Sequence, residues 1–146
     1  MSFLSSMNIS ASALTATRLR MDVIAENMAN SNTTRTENDE PYRRKYVVFQ
    51  EIANDRSFES FMNRAQQSSG GGVRVVEIGT DMSEFKFDFN PAHPDADENG
   101  FVRMPNVEVV QEMVDMMSAF RAYEANITAL NTFKDMAVKT LEIGRA

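Results

Sequence analysis

Residues 107–143 contain neither glycine nor proline, and one apolar seam runs through them without a break. Val109, Met113, Met116, Phe120, Tyr123, Ile127, Leu130, Ala137 and Leu141 are spaced by alternating fours and threes, with Lys134 the polar exception. About five heptads of this pattern predict a long helix that packs along another long helix. At 1.5 Å per residue it would be roughly 55 Å long, more than a compact domain of this size needs. The start of the chain repeats the theme. Leu4, Met7, Ala11, Leu14, Met21, Ala25 and Met28 follow a three-four step with Arg18 as the exception, and Ile24 joins the seam. Two terminal seams point to coiling and assembly rather than to a substrate cavity.

The stretch between the seams changes period. Tyr46-Val47-Val48-Phe49 is a short β-like run, and Val73–Ile78 is strand-like. Phe85, Phe87 and Phe89 alternate with Lys86 and Asp88, the clearest period-two signal in the chain. Asn99-Gly100 is a turn signal followed by Phe101-Val102. Phe58, Phe61 and Met62 could form one helical turn, and Gly70-Gly71-Gly72 reads as a flexible break. The expected fold is α+β: two long terminal helices forming an antiparallel coiled-coil-like pair, with a small β-rich module inserted. The expected divisions are an N-terminal assembly helix (1–30), a motif end and linker (31–41), the β-rich module (42–103) and a C-terminal assembly helix (104–146). Pairing the seams antiparallel sets Met7 opposite Leu130, Leu14 opposite Tyr123, Met21 opposite Met116 and Met28 opposite Val109. Asn106 is a candidate N-cap behind Pro105, and Gly144 fits the position just past the helix end. Glu108, Glu112 and Asp115 lie early and Lys134 and Lys139 late, as the helix dipole favours. Glu124 falls off the seam.

Chemistry-bearing residues are sparse. The chain of 146 residues has no cysteine, which excludes disulfides, thiolate metal sites and cysteine nucleophiles. Its one histidine, His93, lies between Asn90-Pro91 and Pro94-Asp95 and reads as a loop residue holding a turn. Asp95-Ala96-Asp97-Glu98-Asn99-Gly100 matches the first half of an EF-hand loop, but the position of the bidentate glutamate is Asn106. A solvated acidic loop is the better reading. The net charge of −6 disfavours nucleic acid, and Arg43-Arg44-Lys45, preceded by Glu37, Asp39 and Glu40, reads as a solvated face. No cofactor, metal or small-molecule substrate is expected. The 11 methionines suit seams that accept imperfectly matched neighbours. No apolar run is long enough to span a membrane, and the first residues lack the features of a cleaved secretory signal.

Both ends also carry a resemblance. Asn27-Met28-Ala29-Asn30-Ser31-Asn32-Thr33 resembles the N-terminal signature of bacterial flagellar rod, hook and hook-associated proteins, with Ala29-Asn30-x-x-Thr33 as its core. The stretch His93-Pro94-Asp95-Ala96-Asp97, then Gly100-Phe101-Val102, then Pro105-Asn106-Val107, narrows this, as does Pro41-Tyr42-Arg43-Arg44-Lys45. With Arg121-Ala122-Tyr123-Glu124-Ala125-Asn126 near the other end, the chain is similar over nearly its full length, excepting 50–72, to the proximal rod proteins of the flagellar basal body. The resemblance implies a non-enzymatic subunit of the periplasmic drive shaft. It would be exported through the flagellar type III apparatus without a cleaved signal. It would be stacked with copies of itself, other rod proteins and the proteins of the inner-membrane ring and rod junction. Two rival readings are a periplasmic helical holdase chaperone and a metal-dependent enzyme centred on His93.

Overall fold

The computed structural model describes residues 3–52 and 71–144; the expected helical turn at Phe58, Phe61 and Met62 lies outside them. Helix α1 spans Phe3–Ala29 and helix α2 spans Val109–Ile143. Between them lie β1 (Lys45–Glu51), β2 (Val73–Thr80), β3 (Lys86–Phe89) and β4 (Phe101–Met104). The strands form two separate two-stranded antiparallel sheets, β1–β2 and β3–β4. This is the α+β arrangement with an inserted β module that the periodicities predict.

The helices pair antiparallel. Asn27 reaches Glu112 and Arg20 reaches Asp115, and these two contacts bracket the expected register. Met7, Leu14, Met21 and Met28 are half-buried, and so are Val109, Met116, Tyr123 and Leu130. Helix α2 has 35 residues against 27 in α1. By rise alone it is longer by roughly 12 Å. From Val138 to Gly144 every residue is exposed, as befits an end that has run past its partner.

Sheet β1–β2 lies against α1. A bulge shifts the register between Val48 and Phe49, leaving Val76 unpaired. The ladder runs on past the strand ends, since Ile52 donates to Gly72 O at 2.9 Å and Gly71 donates to Ile52 O at 2.8 Å. Gly72 is thus no loose break. It sits at φ +117° against Ser12, where a Cβ would collide with the hydroxyl, and Ser12 Oγ accepts from Val73 N at 3.1 Å. Glycine is needed here for close approach to the helix.

The β3–β4 pair is a hairpin whose long loop is built on Asp97 rather than on a two-residue turn. Asp97 Oδ1 accepts from Asn99 N and Phe101 N, both at 2.9 Å, while Gly100 takes φ +82°. His93 Nδ1 accepts from Asp95 N at 3.1 Å, so the lone histidine holds a turn as expected. In the EF-hand half-match, Asp97 bonds its own loop while Asp95 bonds Thr34 and meets Arg35 in the preceding loop.

Helix boundaries differ in one respect. The N-cap of α2 is Glu108, with no side-chain cap, and Asn106 is used elsewhere. Gly144 is the C-cap, but in the right-handed conformation at φ −75°.

Candidate functional site: an assembly surface on a locked joint

The surface that could do work depends on how the helices are fixed to the β module. Asn27 is 0% exposed and uses every polar atom it has. Its Nδ2 donates to Lys45 O at 2.8 Å and to Glu112 Oε2 at 3.1 Å. Its Oδ1 accepts from Lys45 N at 2.9 Å and from the Tyr42 hydroxyl at 3.0 Å. A buried amide fully paired in this way joins the end of α1, the start of β1 and the first turn of α2.

Glu112, also 0% exposed, is the second half of the knot. Arg44 Nε donates to its Oε1 at 2.6 Å, and Arg44 Nη2 lies 3.5 Å from Asp115 Oδ2. Arg20 Nη2 stands 3.7 Å from the other oxygen of Asp115. The basic run is therefore not a solvated face. Arg44 neutralises a buried acid, Lys45 pairs with Glu26 at 2.5 Å, and the Arg43 guanidinium lies 4.1 Å over the Phe85 ring. The reason is desolvation: a carboxylate buried at the helix contact requires a cation, and Arg44 of this run supplies it to Glu112. Burial first, then Glu26 and Glu112, push the Tyr42 hydroxyl up to about 12. Hydrogen bonds from Ser83 hold Asp81 below the usual carboxylate range, with Arg44 and Arg43 adding to the effect.

Asn106 fastens the hairpin side. It accepts from Arg44 N at 2.8 Å and donates to Asp81 O at 3.0 Å and Ser83 Oγ at 2.8 Å. Pro105 beside it is buried. Lys86 donates to Val107 O at 3.0 Å, and Thr34 bonds Asp95 across the loops at 2.8 Å. Ala29 is the last residue of α1. Asn30 ends the helix by bonding Glu26 O through backbone and side chain, and Thr33 bonds back to Asn30. Of the motif residues, Asn27, Asn106 and Pro105 meet at the joint, whereas His93, Pro94, Asp95, Asp97 and Gly100 lie in the hairpin loop.

The seam residues divide in two. On the inner side of α2 lie Glu112 and Ala119, both buried, and Asn126 and Phe133, half-buried, together with Val109, Met116, Tyr123 and Leu130. The alternate seam positions face outward: Met113 is 49%, Phe120 53%, Ile127 37% and Leu141 69% exposed. On α1, Ile24 is buried, whereas Leu4, Ala11 and Ala25 are exposed. The expected seam is thus half a helix–helix contact and half an open surface. Its phase is set by small residues: Ser10, Ala16 and Ala119 are buried, and their size lets the backbones approach. Sequence reasoning missed Glu112, Arg44 and Tyr42. The available signal was that Glu112 falls seven residues before Ala119 and so on the same face of the helix.

A hollow of about 240 Å³ lies beside the knot, but the cations lining it already meet acids of the chain. Among the described residues, no group of three His, Cys, Asp or Glu side chains could hold a metal ion. No described helix is long and apolar enough to cross a membrane.

Two apolar-faced terminal helices locked to a small β module define an axial assembly subunit. The comparisons with known proteins agree. The family model described as Flagella basal body rod protein matches residues 7–35, and Flagellar basal body rod FlgEFG protein C-terminal matches residues 98–143. The chain is 48% identical to the flagellar basal-body rod protein FlgC of Bacillus subtilis, covering 96% of this chain and 97% of that protein. It is 44% identical to that of Borreliella burgdorferi, covering 98% of each. For Escherichia coli O157:H7 the identity is 41%, over 99% of this chain and 100% of the relative. The chain belongs to the FlgC family of flagellar basal-body rod proteins.

Proposed function

We propose that this structural subunit of the flagellar basal-body rod lies in the proximal, periplasmic part of the rod and transmits torque there as part of the drive shaft. The observation that carries the reading is the outward half of the seam. Leu4, Met113, Phe120, Ile127 and Leu141 are large apolar side chains left exposed on helices whose inner faces are already occupied. A helix apolar on both sides is suited to burial in a larger assembly. Burying these stripes against neighbouring subunits would polymerise the chain, while the knot at Asn27 and Glu112 would hold the β module at a fixed angle and keep the joint stiff under load.

In this reading the partners are copies of the chain, other rod proteins and the proteins of the inner-membrane ring and rod junction. The flagellar type III apparatus delivers the subunit without a cleaved signal. The subunit performs no catalysis. The relatives lend no support to a helical holdase chaperone. Basal bodies purified from cells expressing the tagged chain test the proposal by mass spectrometry. The chain is expected in intact rods at a fixed ratio to the other rod proteins. Its absence from rods that are otherwise complete would overturn the reading.

A further inference from the structure

The β3–β4 hairpin turns an aromatic face to solvent. Phe87 pairs with Arg103 and Phe89 with Phe101, while Val102, between them, points in and is 1% exposed. Phe89 and Phe101 meet edge to face with ring centroids 5.3 Å apart, yet both rings and Phe87 are exposed. Arg103 completes this face. It is exposed, and among the described residues its side chain has no hydrogen bond or ion pair.

Helix α2 presents the counterpart. Met113, Met117, Phe120 and Ile127 form an exposed apolar stripe, and Glu124 stands in it one turn past Phe120. The Glu124 carboxylate likewise has no partner among the described residues, although Arg121 is on the same helix. One surface is aromatic with Arg103 at its edge, where the nearby acids are engaged elsewhere: Asp39 and Asp95 meet Arg35, and Asp97 bonds its own loop. The other is aliphatic and aromatic with a free acid inside it. The spacing matches too. Residues two apart on a strand are roughly 6.6 Å apart. Residues four apart on a helix are separated by about 6 Å. Arg103 placed on Glu124 therefore sets the Phe89–Phe101 pair over Phe120 or Ile127.

The two surfaces cannot meet within one chain. Lys86 binds the hairpin to Val107 and Glu108, at the start of α2. Glu124 lies 15 residues beyond Val109, about 22 Å along the axis. We propose that the β3–β4 hairpin of one copy docks on the α2 stripe of a second copy, with Arg103 paired to Glu124. The contact joins two different surfaces of identical chains and offsets them by about 22 Å. Such a head-to-tail contact propagates into a filament unless a rotation closes it. This deepens the rod reading by naming which element of a neighbour covers the middle of the stripe.

The chain has no cysteine, so crosslinking between single-cysteine copies has no background. Purified full-length Phe101→Cys protein is mixed with Phe120→Cys protein and treated with a short bis-maleimide. The mixed dimer is expected. Arg103→Glu in the first protein, or Glu124→Arg in the second, should lower its yield about tenfold, and combining both should restore it. Neither side chain has a partner among the described residues, so the subunit's melting temperature is expected to stay unchanged. Absence of the mixed dimer, or a swap that fails to restore it, overturns the proposal. So would Arg103→Glu abolishing rod incorporation without rescue by Glu124→Arg, which would assign the hairpin to a different rod protein. Failure of the rod reading itself would appear separately, as absence of the unaltered chain from purified basal bodies.

Discussion

Asn27 and Glu112 are both fully shielded from solvent, and their partners come from three elements. Removing one member of a buried charged pair leaves the other uncompensated. Glu112→Ala is expected to cost about 3 kcal/mol, the lower end of the usual range because Arg44 keeps Asp115. For a chain of this size that lowers Tm by roughly 6–12 °C, readable by calorimetry. Glu108→Ala, which loses only the solvent-exposed pair with Lys86, should cost less than about 1 kcal/mol. Tyr42 supplies a pH dependence. Its folded pKa, about 12, lies above the ordinary tyrosine value of 10.0. Between those values the unfolded chain binds fewer protons than the native one, so stability falls as pH rises. Its contribution is fully present below pH 10 and lost on passing through 12. The loss amounts to about 2–3 kcal/mol for a shift of this size. Alkaline unfolding of Tyr42→Phe, compared with the unaltered chain, should lack that component. An identical slope in both would rule out Tyr42 as its source.

At the scale of elements, the helix pair makes its own test. Met21 and Met116 are half-buried and are opposed in the expected antiparallel register, whereas Ser118 is exposed. Met21→Cys with Met116→Cys should form an intrachain disulfide under mild oxidation, because facing seam positions approach the roughly 4.4–6.8 Å Cα separation a disulfide needs. Met21→Cys with Ser118→Cys should not. Equal linkage of the two pairs on a non-reducing gel would mean the register is wrong. Much of this level was legible beforehand. Seams long enough to demand helices, the Phe87–Phe89 alternation and the stop after Ala29 all read correctly, because each is a local pattern. The Asn106 cap did not. Asn106 is a good cap by type, but Arg44 N and the β2–β3 connection offered its side chain better partners from 62 and 25 residues away.

For the whole molecule, the unequal helices leave Val138–Ile143 beyond the end of α1, with Leu141 and Ile143 strongly exposed. Leu141→Asp should leave the subunit's stability within about 0.5 kcal/mol, as surface changes do. It should nonetheless abolish rod incorporation, because assembly would bury the new charge at a cost of several kcal/mol. Motility and basal-body composition read the outcome. Normal rods with Leu141→Asp would remove this end from the assembly surface. Leu130→Asp differs, since Leu130 is half-buried on the inner side and its loss weakens the helix pair as well.

The sequence by itself determined that both ends are helices, that the segment between them is β-rich, and that the helices run antiparallel. Hydrophobic period sets the first two, and the third follows because the β module joins their adjacent ends. Only the tertiary structure decided which apolar stripe of each helix turns inward. Period cannot settle that where two stripes overlap: Met113, Phe120 and Ile127 are more apolar than Glu112, Ala119 and Asn126, yet they stay outside. Close approach favours the small residues, and Glu112 becomes acceptable inside once Arg44, 68 residues away in sequence, neutralises it and Asn27, 85 away, bonds its second oxygen. Those partners are brought together by the fold, and no local window of the chain contains them.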